Sequence, residues 1–162
     1  MSLILKLLKT PIKQQIKIKF EVNINPPLGF NTEAKLILQP FSFYSQCYVV
    51  EDLFAGKMHA LLFRTWRYRV KGRDWYDFEW YVKNGYALNL EHLSTRARGS
   101  GDLGVGESFT KASLLKLLEE KIETLDMEMV KVDIRRFIRN DTVLDIWLGE
   151  YFLSLAKMMK II

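Results

Sequence analysis

The 162-residue chain holds one cysteine, two histidines and four prolines, and each scarcity removes a class of protein. Cys47 alone cannot close an internal disulfide, so no disulfide framework holds the fold, and a reducing, cytoplasmic setting is expected. In a strand of the kind read below, its thiol is expected to be buried and inert. His59, His92 and that one thiol do not have the spacing of a zinc site, and neither histidine is given a role. With 9 glycines and 4 prolines against 49% apolar and 27% charged residues, collagen-like, mucin-like and disordered readings are excluded. Long apolar runs are missing too. The N-terminal MSLILKLLKTP is broken by Lys6 and Lys9 and ends at Pro11, so neither a signal peptide nor a membrane span is read there.

Acidic residues are the minority charge, 19 against 24 basic ones, for a formal net charge of +5. The surplus is concentrated. Residues 64–73, Arg-Thr-Trp-Arg-Tyr-Arg-Val-Lys-Gly-Arg, hold five cations interleaved with Trp66 and Tyr68. Cations that can meet phosphate beside rings that can stack on bases make Arg64, Arg67, Arg69 and Lys71 candidate nucleic-acid or phosphate contacts. A solvated basic loop is the competing reading.

Residues 16–24 alternate strictly, with Ile16, Ile18, Phe20, Val22 and Ile24 on one face, and predict a strand ended by Pro26 and Pro27. Residues 35–39 and 43–50 predict two more, separated by Pro40. From Glu51 the apolar period becomes helical, and helices are expected from Glu51, over 74–83, 90–98, 108–123 and 126–138, and from Thr142 to near the C-terminus. Trp75, Phe78, Trp80 and Tyr81 share helical spacing and read as core. Strands first and helices after predict an α+β protein. It would be a single domain over 1–162, with a small, mostly antiparallel sheet in 1–50 and a helical bundle in 51–162. The four glycines of residues 99–106 do not form a phosphate cradle, because no Lys-Ser/Thr follows and no strong strand precedes them.

Three positions invite chemistry. Lys57 falls in the apolar stripe of the helix that starts at Glu51, between Leu53 and Phe54 one turn before and Ala60 and Leu61 one turn after. Such a lysine either snorkels to the margin or aims its ammonium at an anion. Asp74 and Asp77 share a helix face beside Arg73, where they could cap the helix or orient a catalytic cation. Glu21 lies on the polar face of the first strand, either as a surface charge or as a hard oxygen ligand for a divalent cation.

Taken in order, the acidic strand KIKFEVNINPP, the segment Asp52-Leu-Phe-Ala-Gly-Lys-Met-His-Ala-Leu61, the basic segment, and Arg73-Asp-Trp-Tyr-Asp77 resemble the AbiEii/AbiGii toxin family of nucleotidyltransferases over about residues 16–155. The resemblance implies a DNA polymerase β-like fold and the toxin of a type IV toxin–antitoxin, or abortive-infection, system. It implies transfer of a nucleotide from NTP with Mg²⁺ to an RNA, such as tRNA, or to a protein acceptor, and a cognate antitoxin as partner. Carried over, Glu21 matches an acidic position of the metal site, Lys57 the lysine facing the nucleotide phosphates, and Asp74 the aspartate of the last motif, with Arg73 and Asp77 in support. These residue types suit phosphoryl transfer, which needs cations for phosphate charge and a positioned carboxylate. The family's earlier Asp-x-Asp motif has no counterpart, since the twenty residues before Glu21 contain no Asp or Glu. The chain is therefore expected to be part of a longer protein or a degenerate relative, inactive alone. The alternative is a catalytically incomplete module that binds RNA or the antitoxin, and an uncovered sheet edge predicts a homodimer.

Overall fold

The computed structural model describes residues 2–6, 15–19, 22, 24, 26, 28–64 and 70–162. Phe20, Glu21, Trp66, Arg67, Tyr68 and Arg69, on which several expectations rest, lie outside the described residues. The α+β order holds. Strands β1 (Ser2–Lys6) and β2 (Gln15–Lys19) pair antiparallel, as do β3 (Thr32–Ile37) and β4 (Phe43–Tyr48), with Thr32 opposite Tyr48 and Ile37 opposite Phe43. Among the described residues these are two separate hairpins and not the one sheet expected. β1 falls in the lysine-broken apolar run that was assigned no structure. Cys47, on β4, is half-buried rather than enclosed.

Helices α1 (Val50–Phe63), α2 (Gly72–Lys83), α3 (Leu90–Ser100), α4 (Lys111–Glu123), α5 (Met127–Arg135) and α6 (Gly149–Met158) follow. Asn89, Thr110 and Asp126 cap α3, α4 and α5 through side-chain oxygens, as their short polar chains favour. At the other end of α2, Gly85 takes φ +70° directly after Asn84, the left-handed turn that lets the chain reverse into β5 (Ala87–Leu88). β5 pairs in parallel with β6 (Lys160–Ile161) at the C-terminus. The single last helix expected from Thr142 is two pieces, a 3₁₀ turn over Asp141–Leu144 and then α6. The break lets Trp147 turn inward, where it is buried and its indole N–H donates to Glu79 Oε2 at 3.1 Å.

The core lies where α1 and α2 cross and where α6 packs against α2 and α4. Phe54 stacks on Tyr81 at 4.6 Å between ring centroids, and Phe152 meets Trp75 at 5.1 Å and Trp147 at 5.2 Å. Phe54, Phe78 and Phe152 are fully enclosed, so truncating any one to alanine costs about 3–5 kcal/mol. Trp80 departs from the expected core and is 44% exposed, on the outer side of α2. At the start of α2, α5 comes so close that a Cβ on Gly72 would sit 2.4 Å from the Val130 carbonyl oxygen. The Gly72 N–H also donates to Asp133 Oδ2 at 3.0 Å. Glycine is required there by contact, and that contact fixes where the next residues, Arg73 and Asp74, enter the helix.

Candidate active site

The faces of α1 and α2 turned away from this aromatic core form a cleft. Its floor is Leu53, Gly56 and Ala60 of α1, spaced by three and four residues and so on one side of the helix. Arg73, Asp74 and Asp77 of α2 line one wall, and His92 and Arg96 of α3 line the other. Tyr48 closes one end. The other opens past Arg64 and Lys71 into a second cavity reached by Trp75, Lys121 and Thr124. The volumes are about 490 and 340 Å³, a size that accommodates a small organic ligand. Leu53, expected in the buried stripe of α1, is 45% exposed because it belongs to this floor.

Sequence-selected residues meet here. The Lys57 ammonium donates to Asp77 Oδ2 at 2.6 Å, so the lysine, half-exposed at the cleft margin, reaches across to α2. Asp74 is half-buried one turn before Asp77 and caps nothing: among the described residues its carboxylate makes no hydrogen bond or ion pair. Burial pushes the Asp74 carboxyl above its ordinary range and the Asp77 charge adds to this, while Lys71, Arg64 and Lys57 act in the opposite direction. Arg64, Lys71 and Arg73 all line the cleft; Arg64 and Arg73 are exposed and Lys71 half-buried.

Three residues given no role from the sequence belong to the same structure. Asp52 is 2% exposed and ties the site together: it accepts from the Asn31 N–H and, at 2.7 Å, from the Asn89 amide, joining the connection before β3 to α1 and α3. His92, 1% exposed, has two ring nitrogens without hydrogen bonds among the described residues. Burial lowers its pKa, with Arg96 acting in the same sense, while Asp52 and the backbone of Gly29 and Leu28 oppose. Arg96 lies over Gly56, where a Cβ would stand 3.7 Å from Cζ. His59 lines neither of these cavities. It faces Ser100 Oγ at 2.8 Å and Asp102 at 3.5 Å, and burial, with Arg96 next, lowers its pKa.

The described carboxylates do not make a donor set for a divalent cation. Both Asp52 oxygens are committed to N–H donors, Asp77 is paired with Lys57, and Asp74 stands alone. Among the described residues no three His, Cys, Asp or Glu side chains gather as metal ligands. What the cleft offers is positive charge on three sides around one half-buried carboxyl whose proton affinity is raised. That combination suits a polyanion with a reacting hydroxyl nearby, the requirement of phosphoryl-group transfer.

The structure thus brings a lysine of one helix to an aspartate of the next, with a second aspartate a turn away in the same cleft. The chain belongs to the family described as nucleotidyl transferase AbiEii toxin, type IV TA system, which it matches over residues 4–147. No curated protein and no solved structure matches it. Among the described residues, no helix is long and apolar enough to cross a membrane.

Proposed function

We propose that the cleft between α1, α2 and α3 binds a nucleoside triphosphate and serves transfer of its nucleotidyl group to a hydroxyl of an RNA, such as tRNA, or of a protein. The observation that carries this reading is the Lys57–Asp77 ion pair, beside Asp74, in a cavity lined by Arg64, Lys71 and Arg73. In the reaction, the acceptor oxygen bonds to the α-phosphorus, the bond to the bridging oxygen breaks, pyrophosphate leaves, and the acceptor proton passes to Asp74. A carboxyl with raised proton affinity is the better base for that step. Lys57 meets the phosphate charge, and Asp77 holds the ammonium in the cleft.

The family is one of nucleotidyl transferases, which are typically metal-dependent, but Asp52 and Asp77 are committed to other partners and Asp74 stands alone, and no step is assigned to Mg²⁺. Nucleotide binding without turnover is accordingly the expected behaviour of the isolated chain, in a cytoplasmic setting with a cognate antitoxin as regulator. Calorimetric titration of each NTP, with and without Mg²⁺, tests this. NTP binding that weakens at least tenfold in Lys57→Ala and persists in Asp74→Ala supports the reading; wild-type protein that binds none of the four NTPs overturns it.

A second reading, an interaction module, is favoured by the β3–β4 hairpin, where Leu36, Leu38, Phe41 and Tyr44 are each at least 50% exposed. An apolar surface of this kind suits a protein contact, whether with the antitoxin or with a second copy. Replacing Phe41 and Tyr44 by serine would then abolish association and leave NTP affinity unchanged. An RNA-binding module instead predicts salt-dependent RNA binding in the absence of nucleotide.

A further inference from the structure

Arg96 has no role in the motifs above, yet its surroundings are unusual for an arginine. It is half-buried, lines the α3 wall of the cleft, and makes no side-chain hydrogen bond or ion pair among the described residues. Its Nε is enclosed without an acceptor. A guanidinium carries five donors and stays charged, so one withdrawn from water normally faces a carboxylate. No described carboxylate pairs with it: Asp52 accepts from Asn31 and Asn89, Asp77 from Lys57, and Asp102 from Ser100. The side chain has a seat instead, because it lies over Gly56, a glycine within α1. Glycine inside a helix is unfavourable, and here it leaves the cleft floor bare beneath the guanidinium.

The two walls therefore differ. On the α2 wall the charge of Lys57 is paired with Asp77; on the α3 wall Arg96 forms no ion pair among the described residues. Resting on the nucleotidyl-transfer reading above, we propose that Arg96 binds the β- and γ-phosphates of the bound NTP. The polyphosphate then lies against the guanidinium on the α3 side of the cleft, and its α-phosphorus faces Asp74 and Lys57. Arg96 holds the pyrophosphate as it departs, so the charge that develops on the leaving oxygen is met from the wall opposite the base. A forked guanidinium suits two phosphate oxygens better than an ammonium would.

The test is calorimetric titration of the full chain, wild type, Arg96→Gln and Arg96→Lys, with NTP, NMP and inorganic tripolyphosphate; thermal unfolding of each variant confirms folding. Wild type should favour NTP over NMP by at least tenfold. Arg96→Gln should lose at least tenfold for NTP and for tripolyphosphate while NMP affinity stays the same, and Arg96→Lys should recover part of the loss. Equal weakening toward NTP and NMP would place Arg96 on the base or sugar and overturn the proposal. Unchanged affinities in Arg96→Gln would overturn it as well. Arg96-dependent binding of tripolyphosphate with no binding of any NTP would leave the anion site standing and remove the nucleotidyl reading. If wild type bound neither, both would fall.

Discussion

Two carboxylates five residues apart on α2 have opposite circumstances. Glu79 is 7% exposed and fully served: Trp147 donates to Oε2 at 3.1 Å, the Tyr151 hydroxyl donates to Oε1, and the Lys83 ammonium pairs at 2.6 Å. Trp147 comes from the connection between the 3₁₀ turn and α6, and Tyr151 from α6, so Glu79 fastens the last part of the chain to the middle. Its own charge shows in its neighbours, since the hydrogen bond to Glu79 raises the Lys83 pKa, and burial followed by Glu79 raises that of Tyr151. Asp74 is half-buried, accepts no hydrogen bond among the described residues, and faces several cations that do not touch it. A satisfied buried acid belongs to the fold. An unsatisfied one at the edge of a cavity is available for chemistry, at a cost in stability.

Removing each acid in turn should make the contrast measurable. Glu79→Ala leaves the buried Trp147 indole N–H without an acceptor, a loss of roughly 1–3 kcal/mol for that donor, with Tyr151 adding to it. Urea unfolding should show this as a lower midpoint, while NTP affinity of the folded protein is unaffected. Gly72→Ala breaks the scaffold from the other side. The added Cβ meets a backbone carbonyl, so α5 must move off α2, at about 1–3 kcal/mol. Because Arg73 and Asp74 follow directly, this variant should lose both stability and nucleotide binding.

Asp74→Asn should act in the opposite direction on stability. A folded-state pKa raised above the ordinary value of 3.8 means that the stability linked to this group is full below that pH and is lost as pH rises through the raised value. The amide avoids that loss. Its melting temperature should exceed that of wild type at pH 7, by about 2–4 °C for each kcal/mol relieved, and the difference should vanish at acid pH. The smallest effect is expected from Gly56→Ala. Its methyl group would rest 3.7 Å from Arg96, an ordinary contact, and the helix should gain roughly 0.5–1 kcal/mol by thermal unfolding.

The helices were readable because their apolar spacing and their caps coincide, as at Thr110 and Asp126. Lys57, Asp74 and Asp77 were readable as types in a pattern, but not as a contact: only the crossing of α1 with α2 brings Lys57 within 2.6 Å of Asp77. Arg96 gave no signal of its own, being one of several polar residues in the short helix LEHLSTRARGS. A glycine inside the strong α1 pattern was the available hint, and it gains meaning only when α3 packs across it. Trp80 misled because helical spacing gives an angle and not the width of the buried face. The break between Leu144 and Gly149 escaped because the apolar residues on either side continue through it, while burial of Trp147 against Glu79 decides the geometry. The two-residue pair of β5 and β6 is too short to carry any period.

Amide hydrogen exchange of the wild-type chain with and without saturating NTP tests the central claim most directly, because it reads both ends of α2 at once. Protection should rise over Gly56–Arg64 and Gly72–Asp77 and stay unchanged over Glu79–Asn84 and Trp147–Tyr151. Protection confined to the Glu79 end, or no change along α1, would contradict the assignment of the cleft as the nucleotide site.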